Sequence, residues 1–397
     1  MSTRPLEGFR ILDLTRVVAG PFATAILADL GAEVIKVERP RTGDDYRYGP
    51  SQKGELSLSF QNNNRGKQSI TLDVRTEKGR ELLLRLVDDA DALVENFRAG
   101  WMEKQGLGPD VIQARNPRCV VASLSGYGQT GPMAGRASYD IVAQAASGFM
   151  AMTGFPAGPP VRGGGALGDF VGGLYLGLGL VTALLERERS GRARVLDLSN
   201  QDAMFAVTDS ALTIHEGIGA VSERLGNQHP FTAPYDCYAT KDGHVVMASA
   251  SNRLFRKLCE GIGRPELGTD ERFANHRVRA ANRVELNGIF AVWSAERTCE
   301  EVLAALGPDG ADIPVAKVLH PEELVGDPQM EARGMIERHP HPRIGEVVFH
   351  GNPLKFDDLP PRERALAPEL GEDTECIYGR LGLTSDEIAA LREEGVI

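Results

Sequence analysis

The chain is short of cysteine, and its five, Cys119, Cys237, Cys259, Cys299 and Cys376, are scattered and odd in number, with no CxxC pair and no metal-type cluster with histidine. A disulfide framework and a structural metal site are excluded, and reduced thiols in the cytoplasm are expected. MSTRPLEGFRILDL lacks a basic start followed by an apolar run, so no secretory signal is expected. The longest uncharged stretch, Phe170 to Leu185, is Gly-rich and falls short of the ~20 apolar residues that cross a bilayer. It reads as a buried helix, and no membrane partner is expected. Positive charge is in deficit: 44 Lys and Arg against 55 Asp and Glu leave a net charge of -11. Nucleic acids and anionic membranes need a broad positive surface, so both are excluded as partners. An anionic small ligand is compatible with this balance only where Arg and Lys converge locally.

What is present is a globular chain of 397 residues, 42% hydrophobic. That length bears one large or two medium domains and buries roughly three quarters of the unfolded surface. Phe9–Leu14 reads as a strand, Phe22–Leu30 as a helix and Val34–Val37 as a second strand, and the alternation recurs with strands at Ser69–Asp73, Ala92–Val94, Cys119–Leu124 and Arg194–Leu198. Helices are expected at Glu77–Asp89, Tyr139–Met150, Asp169–Glu188 and Asn200–Gly217. Strands alternating with helices predict an α/β fold with a parallel sheet covered on both faces. The texture changes near residue 230, where two short strands turn at Lys241-Asp242-Gly243 and three helices follow. The expected division is a large Rossmann-like domain over 1–222, a small α+β domain over 230–325, and a segment over 326–397 that returns to the first and ends in a helix opened by the Thr384-x-x-Glu387 capping box.

Three features carry chemistry. The first strand-to-helix turn has only Ala19-Gly20-Pro21 where a dinucleotide enzyme needs GxGxxG, and Glu38 at the end of the second strand does not make up for that loss. GGGALGDFVGG, Gly163 to Gly173, sets Gly168-Asp169 at the start of an apolar helix. Asp169 there reads as an N-cap, or as a carboxylate that a bulky ligand must reach past glycine, with backbone N–H groups free to stabilise an oxyanion. Arg39, Arg75, Asn96, Phe97 and Lys104 follow successive strands. In a parallel sheet such residues line one crevice, which suits a phosphate-rich ligand.

LDLTRVVAGPFAT, LGAEVIKVERP, GDD at 43–45, ALVENFRAG, SGYGQTGP, YDIVAQAASG and LGDFVGG together resemble the family III CoA-transferases, which include formyl-CoA, carnitine and bile-acid CoA-transferases. The resemblance implies an interlocked homodimer of Rossmann-like chains that uses acyl-CoA and carboxylic acid substrates, with no tightly bound cofactor. The family's catalytic aspartate falls on Asp169. Its CoA-contacting positions fall on Arg16, Val17, Ala19, Arg39, Leu72, Arg75, Asn96, Phe97 and Lys104, the last often Arg in the family and here a point charge. Tyr139 and Asp140 match a Tyr-acid pair close to the nucleophile, and Gly168 belongs with the expected oxyanion surroundings. Two departures stand out. Ala248-Ser249-Ala250-Ser251-Asn252 replaces the glycine loop of formyl-CoA transferase, which argues against formyl or oxalyl specificity, and Tyr139 stands where related racemases keep a His.

The chemistry expected is transfer of CoA, with succinyl-CoA as a candidate donor, through an aspartyl-acyl anhydride and an aspartyl-CoA thioester. None of the eight His is needed, so His215, His229 and His244 read as structural or surface residues, and Cys237 as a small hydrophobe. The alternatives are a 2-methylacyl-CoA racemase and a CoA-ester binding protein without turnover.

Overall fold

The computed structural model describes residues 4–49, 51–359 and 366–397. Six strands, β1 (Arg10–Asp13), β2 (Glu33–Glu38), β3 (Gln68–Thr71), β4 (Ala92–Glu95), β5 (Val120–Ser125) and β6 (Val195–Ser199), pair in parallel in the spatial order β3-β2-β1-β4-β5-β6. β1 to β5 are almost wholly buried, as near-continuous apolar runs in a parallel sheet require. The order reverses between β1 and β4. In open doubly wound sheets a ligand crevice opens there, outside the carboxyl ends of the strands.

Apolar layers cover both faces of this sheet. One packs Leu12, Ile35, Ile70 and Leu93 against Leu83 and Leu86 of the helix Glu77–Val87 and against Ile377, Tyr378 and Ile388 near the C-terminus. The other packs Ile11, Val94 and Leu124 against Leu27 of the helix Ala19–Asp29 and against Leu176 and Leu180 of the helix Leu167–Ser190. The Tyr378 hydroxyl donates to the Thr71 carbonyl at 2.9 Å and the Ser69 N–H to Asp373 at 2.8 Å, which fastens the C-terminal segment to β3.

The chain divides into two compact units, one of residues 1–149, 162–217 and 329–397, the other of 150–161 and 218–328. The second unit pairs Tyr235–Ala239, His244–Ala248 and Val315–Lys317 in antiparallel, over a core of Tyr238, Met247, Phe255 and Phe290. The expected boundary at 222 differs from this division: 150–161 groups with the second unit, and the Val161 and Gly226 N–H groups donate to Thr153 and Gly154 within it.

Three helix expectations are corrected. Tyr139–Met150 is two short helices, Asp140–Ala146 and Phe149–Met152, parted at Gly148 with φ 86°. Asn200–Gly217 is likewise Asn200–Ala206 and Ala211–Ile218, parted where Asp209 adopts φ 54°. Leu167–Ser190 is long and apolar enough to cross a membrane by length and composition, yet only 44% of its most apolar window is buried. Leu174, Leu178 and Leu185 lie exposed on it at spacings of four and seven, so one stripe of this helix faces outward in the single chain. The strand Ile336–His341, which pairs with Gly345–His350, escaped the sequence reading, because RHPHPR lacks the alternation of a half-buried strand.

Candidate active site

At the carboxyl ends of β1, β2 and β3 opens a cleft of ≈ 190 Å³. Arg16, Arg39 and Arg75 line it beside Leu72, Phe97 and Trp101, so five of the sequence-selected residues meet in one place. The Arg16 guanidinium lies 4.9 Å over the Phe97 ring, whose centroid is 4.1 Å from that of Trp101. Burial, and next the Arg39 charge beside it, holds Arg16 below its ordinary value. Three arginines converging on one cleft favour an anionic occupant. Arg39 pairs with Asp45 and Arg75 with Asp73, but Arg75 and Asp45 are exposed, and exposed pairs exchange for another anion at little cost.

Asn96, Val17, Ala19 and Lys104 do not line the cleft. Asn96 braces it across the point where the strand order reverses: its side chain accepts the Arg16 N–H at 2.8 Å and donates to the Arg16 carbonyl at 2.9 Å. Val17, exposed, has φ 68°, a left-handed conformation costly for a β-branched residue, and its N–H is held by Asp44. Ala19 is buried, its carbonyl against Gly173, and Lys104 is exposed at the end of the helix Trp101–Lys104.

Asp169 is the third residue of its helix, whose N-cap is Ala166, so the capping role that Asp usually takes at a helix start is not its own. Its carboxylate is half-buried and accepts from Asn200 Nδ2 at 3.0 Å. Burial, then the neighbouring Asp140 charge, pushes Asp169 up to about 6 against the pull of the Asn200 hydrogen bond. Asp140 is occupied: it accepts the Gly168 N–H at 2.7 Å and both its oxygens accept from Gln144 Nε2, at 3.0 and 2.9 Å. Gln144 in turn accepts the Gly163 N–H at 2.8 Å. Gly163 and Gly168 therefore spend their amides on holding the segment, which corrects the expectation that Gly168 serves an oxyanion. The glycines after Asp169 make room within the protein: a Cβ on Gly172 would come 2.1 Å from Asn200 Oδ1, and one on Gly173 would come 2.6 Å from the Ala19 carbonyl. Tyr139, the N-cap of its helix, is 80% exposed in the single chain.

A crevice lined by three arginines at the switch point suits a large anionic substrate, and a half-buried carboxylate raised above its ordinary value suits an acyl-transfer nucleophile. Residues 6–374 match the sequence profile of CoA-transferase family III. This chain belongs to that family. The transferase is 41% identical over 373 residues to the acetyl-CoA:oxalate CoA-transferase of Acetobacter aceti, covering 93% of each chain. It is 36% identical to the succinyl-CoA–D-citramalate CoA-transferase of Chloroflexus aurantiacus, over 99% of this chain and 98% of the relative. Among solved structures, a CAIB/BAIF family protein from Brucella suis superposes with a TM-score of 0.85 at 36% identity, covering 96% of this chain and all of that one.

Three residues of the transferase escaped the sequence reading. Asn200 is the first residue past β6, and the rule that selected Asn96 past β4 applies to it equally. Gln144 carried no signal. Glu95, buried at the carboxyl end of β4, accepts the Phe97 N–H at 2.6 Å, and burial pushes it up to about 7. A lone Glu inside a strand marks such a group only once the strand's burial is known.

Proposed function

We propose that this transferase moves CoA from an acyl-CoA donor, succinyl-CoA among them, to a small carboxylic or dicarboxylic acid, with Asp169 carrying first the acyl group and then CoA. The Asp169 carboxylate attacks the donor thioester carbonyl, forming an aspartyl-acyl anhydride and releasing CoA thiolate. The thiolate attacks the aspartyl carbonyl, giving an aspartyl-CoA thioester and the free donor acid. The acceptor carboxylate attacks that thioester and expels CoA thiolate, which attacks the acceptor carbonyl of the new anhydride and restores Asp169. Every step trades one activated acyl bond for another, so no ATP and no net proton is required. One observation carries this reading above all: the Asp169 carboxylate, half-buried and held by Asn200 Nδ2 at 3.0 Å, is pushed up by burial to about 6, so it is ionised at neutral pH yet poorly solvated.

The relatives named for oxalate, citramalate, malate and glutarate all take dicarboxylic acids, which favours a dicarboxylate acceptor here. Oxalate belongs among the acids to test despite the altered 248–252 loop. The cleft at Arg16, Arg39 and Arg75 is read as the seat of the phosphates of CoA. Losing one charge-assisted contact costs about 1.5–3 kcal/mol, so Arg39→Ala is expected to weaken CoA binding at least about tenfold by calorimetry, and less at high salt. Unchanged affinity would assign Arg39 to its pair with Asp45 alone.

Asp140 accepts three hydrogen bonds and lacks the freedom a racemase base needs. In deuterated buffer with a 2-methylacyl-CoA and no acceptor, no enzyme-dependent α-deuterium should enter. Adding a suitable dicarboxylate should produce a new thioester by mass spectrometry. Rapid α-exchange without acceptor reverses the order of the two readings.

The working assembly we propose is a homodimer, interlocked as the resemblance implies. The outward stripe of Leu174, Leu178 and Leu185 and the edge strand β6, with Val195 48% exposed, support it, since such surfaces are seldom left to water. Light scattering should give twice the 42.9 kDa chain mass. A monomeric, active enzyme refutes the assembly.

A further inference from the structure

The strained turn at Arg16-Val17 is held from beneath by charges that water does not reach. Lys36 and Asp44 pair at 3.0 Å with side chains 0% and 1% exposed. Lys36 Nζ also donates to the Thr15 carbonyl at 2.9 Å, while the Asp44 carboxylate accepts the Val17 N–H at 3.1 and 3.2 Å and the Tyr46 N–H at 3.0 Å. The neighbouring pair, Lys67 and Asp13 at 2.9 Å, is equally buried, and Asp13 accepts the Thr15 N–H at 2.9 Å. Glu38 extends the array: it accepts the Asp44 N–H at 3.0 Å and pairs with Arg47 at 2.7 Å. With the Asn96 clamp on Arg16, the peptide groups from Thr15 to Val17 are fixed by four side chains, Asp13, Lys36, Asp44 and Asn96.

Such an array is a weak source of stability, because taking the charges out of water costs about what their attraction returns. What it does supply is geometry. It keeps Val17 at φ 68°, and so aims Arg16 into the cleft. The helix that follows the turn packs on the helix of Asp169, where the Ala19 carbonyl meets Gly173 and Phe22 meets Phe170 edge-on at 4.9 Å.

We infer that Asp44 is a positioning residue for CoA-ester binding, with Lys36 balancing its buried charge: the Asp44 side chain holds the 15–17 turn in its bound form before the substrate arrives. The inference rests on the reading of the Arg16 cleft as the CoA seat. Two double variants remove the charges of the buried pair together and differ in whether residue 44 keeps a hydrogen-bonding group of similar size. Lys36→Met with Asp44→Asn keeps an oxygen for the Val17 N–H; Lys36→Met with Asp44→Leu does not. The leucine pair is expected to raise the Kd for CoA and the KM for the donor ester at least about tenfold, with kcat at saturation within about threefold. The asparagine pair should restore Kd to within about threefold of wild type. A purely structural role lowers melting temperature and active fraction in both and leaves KM alone; that result, or equal Kd in both pairs and wild type, overturns the inference. Should the leucine pair fail to fold, amide exchange on the wild-type enzyme decides. A preset turn shows a Val17 N–H protected without CoA and hardly more protected with it, whereas a gain above about tenfold on adding CoA overturns the proposal. Arg39→Ala separates the two levels, because if it too leaves CoA affinity untouched, the cleft assignment has failed rather than the positioning role.

Discussion

Replacing Asp169 by Ala is expected to cut CoA transfer by at least about 10³, because the variant loses both covalent intermediates and retains only binding. Donor-ester binding by calorimetry should survive, since the cleft residues Arg16, Arg39 and Arg75 lie on other segments. The fold should survive too. The Asp169 carboxyl sits above its ordinary value, so its ionisation destabilises the folded chain: the cost is absent below the unfolded value near 4, and complete once pH exceeds about 6. At pH 8 the Ala variant should therefore melt no lower than wild type, which separates lost chemistry from lost structure. With wild-type enzyme and a donor ester, hydroxylamine should attack the aspartyl-CoA thioester, expel CoA thiolate and leave a hydroxamate on a peptide containing Asp169. Near wild-type turnover in the variant refutes the covalent route.

The same raised value sets a pH dependence. In the proposed route the attacking group is the Asp169 anion, and burial holds its proton until about pH 6. kcat/KM should be level near pH 8 and fall about tenfold per unit below 6, two units above where an ordinary aspartate would begin to fail.

The sheet was legible because each of its strands is a short apolar run cut off by polar or Gly/Pro residues, and the parallel order follows from the helices between them. The cleft was legible for a related reason. In a doubly wound sheet, sequence position past a strand's carboxyl end is already position on the crevice, and Arg39, Arg75 and Phe97 are selected on that condition, while Arg16 and Leu72 are reached through the resemblance. Lys104, placed in the same set because it lies beyond β4, is exposed at the far end of the helix that Trp101 opens and does not line the cleft. What a linear reading could not reach were pairings between distant segments. Asp140 and Gly168 stand 28 positions apart, Asn96 and Arg16 stand 80 apart, and each hydrogen bond decides a role. The glycines around Asp169 misled for that reason: their number signalled close approach correctly, but the groups approaching Gly172 and Gly173 are Asn200 and Ala19 rather than a ligand.

Asp169, the proposed nucleophile, is held by the amide of Asn200. Its Nδ2 donates to Asp169 Oδ1 at 3.0 Å, while its Oδ1 lies buried against Gly172, with no hydrogen-bond partner among the described residues. The carboxylate fixes that orientation, since the reverse would set oxygen against oxygen. A hydrogen bond to a charged group contributes about 1.5–3 kcal/mol, or one to two pKa units at 1.36 kcal/mol each. Asn200→Leu is therefore expected to move the acid limb of kcat/KM from about 6 to roughly 7–8 and to lower the rate about a hundredfold at pH 7, part from protonation and part from lost orientation. Raising the pH to 9 should recover the first part only. Gly172→Ala should act in the same direction without touching either polar group, because its Cβ at 2.1 Å from Asn200 Oδ1 must displace the amide. If both variants lose rate with the acid limb still at 6, Asn200 serves packing alone. If the limb moves in both, the glycine and the amide form one device that keeps Asp169 ionised at neutral pH.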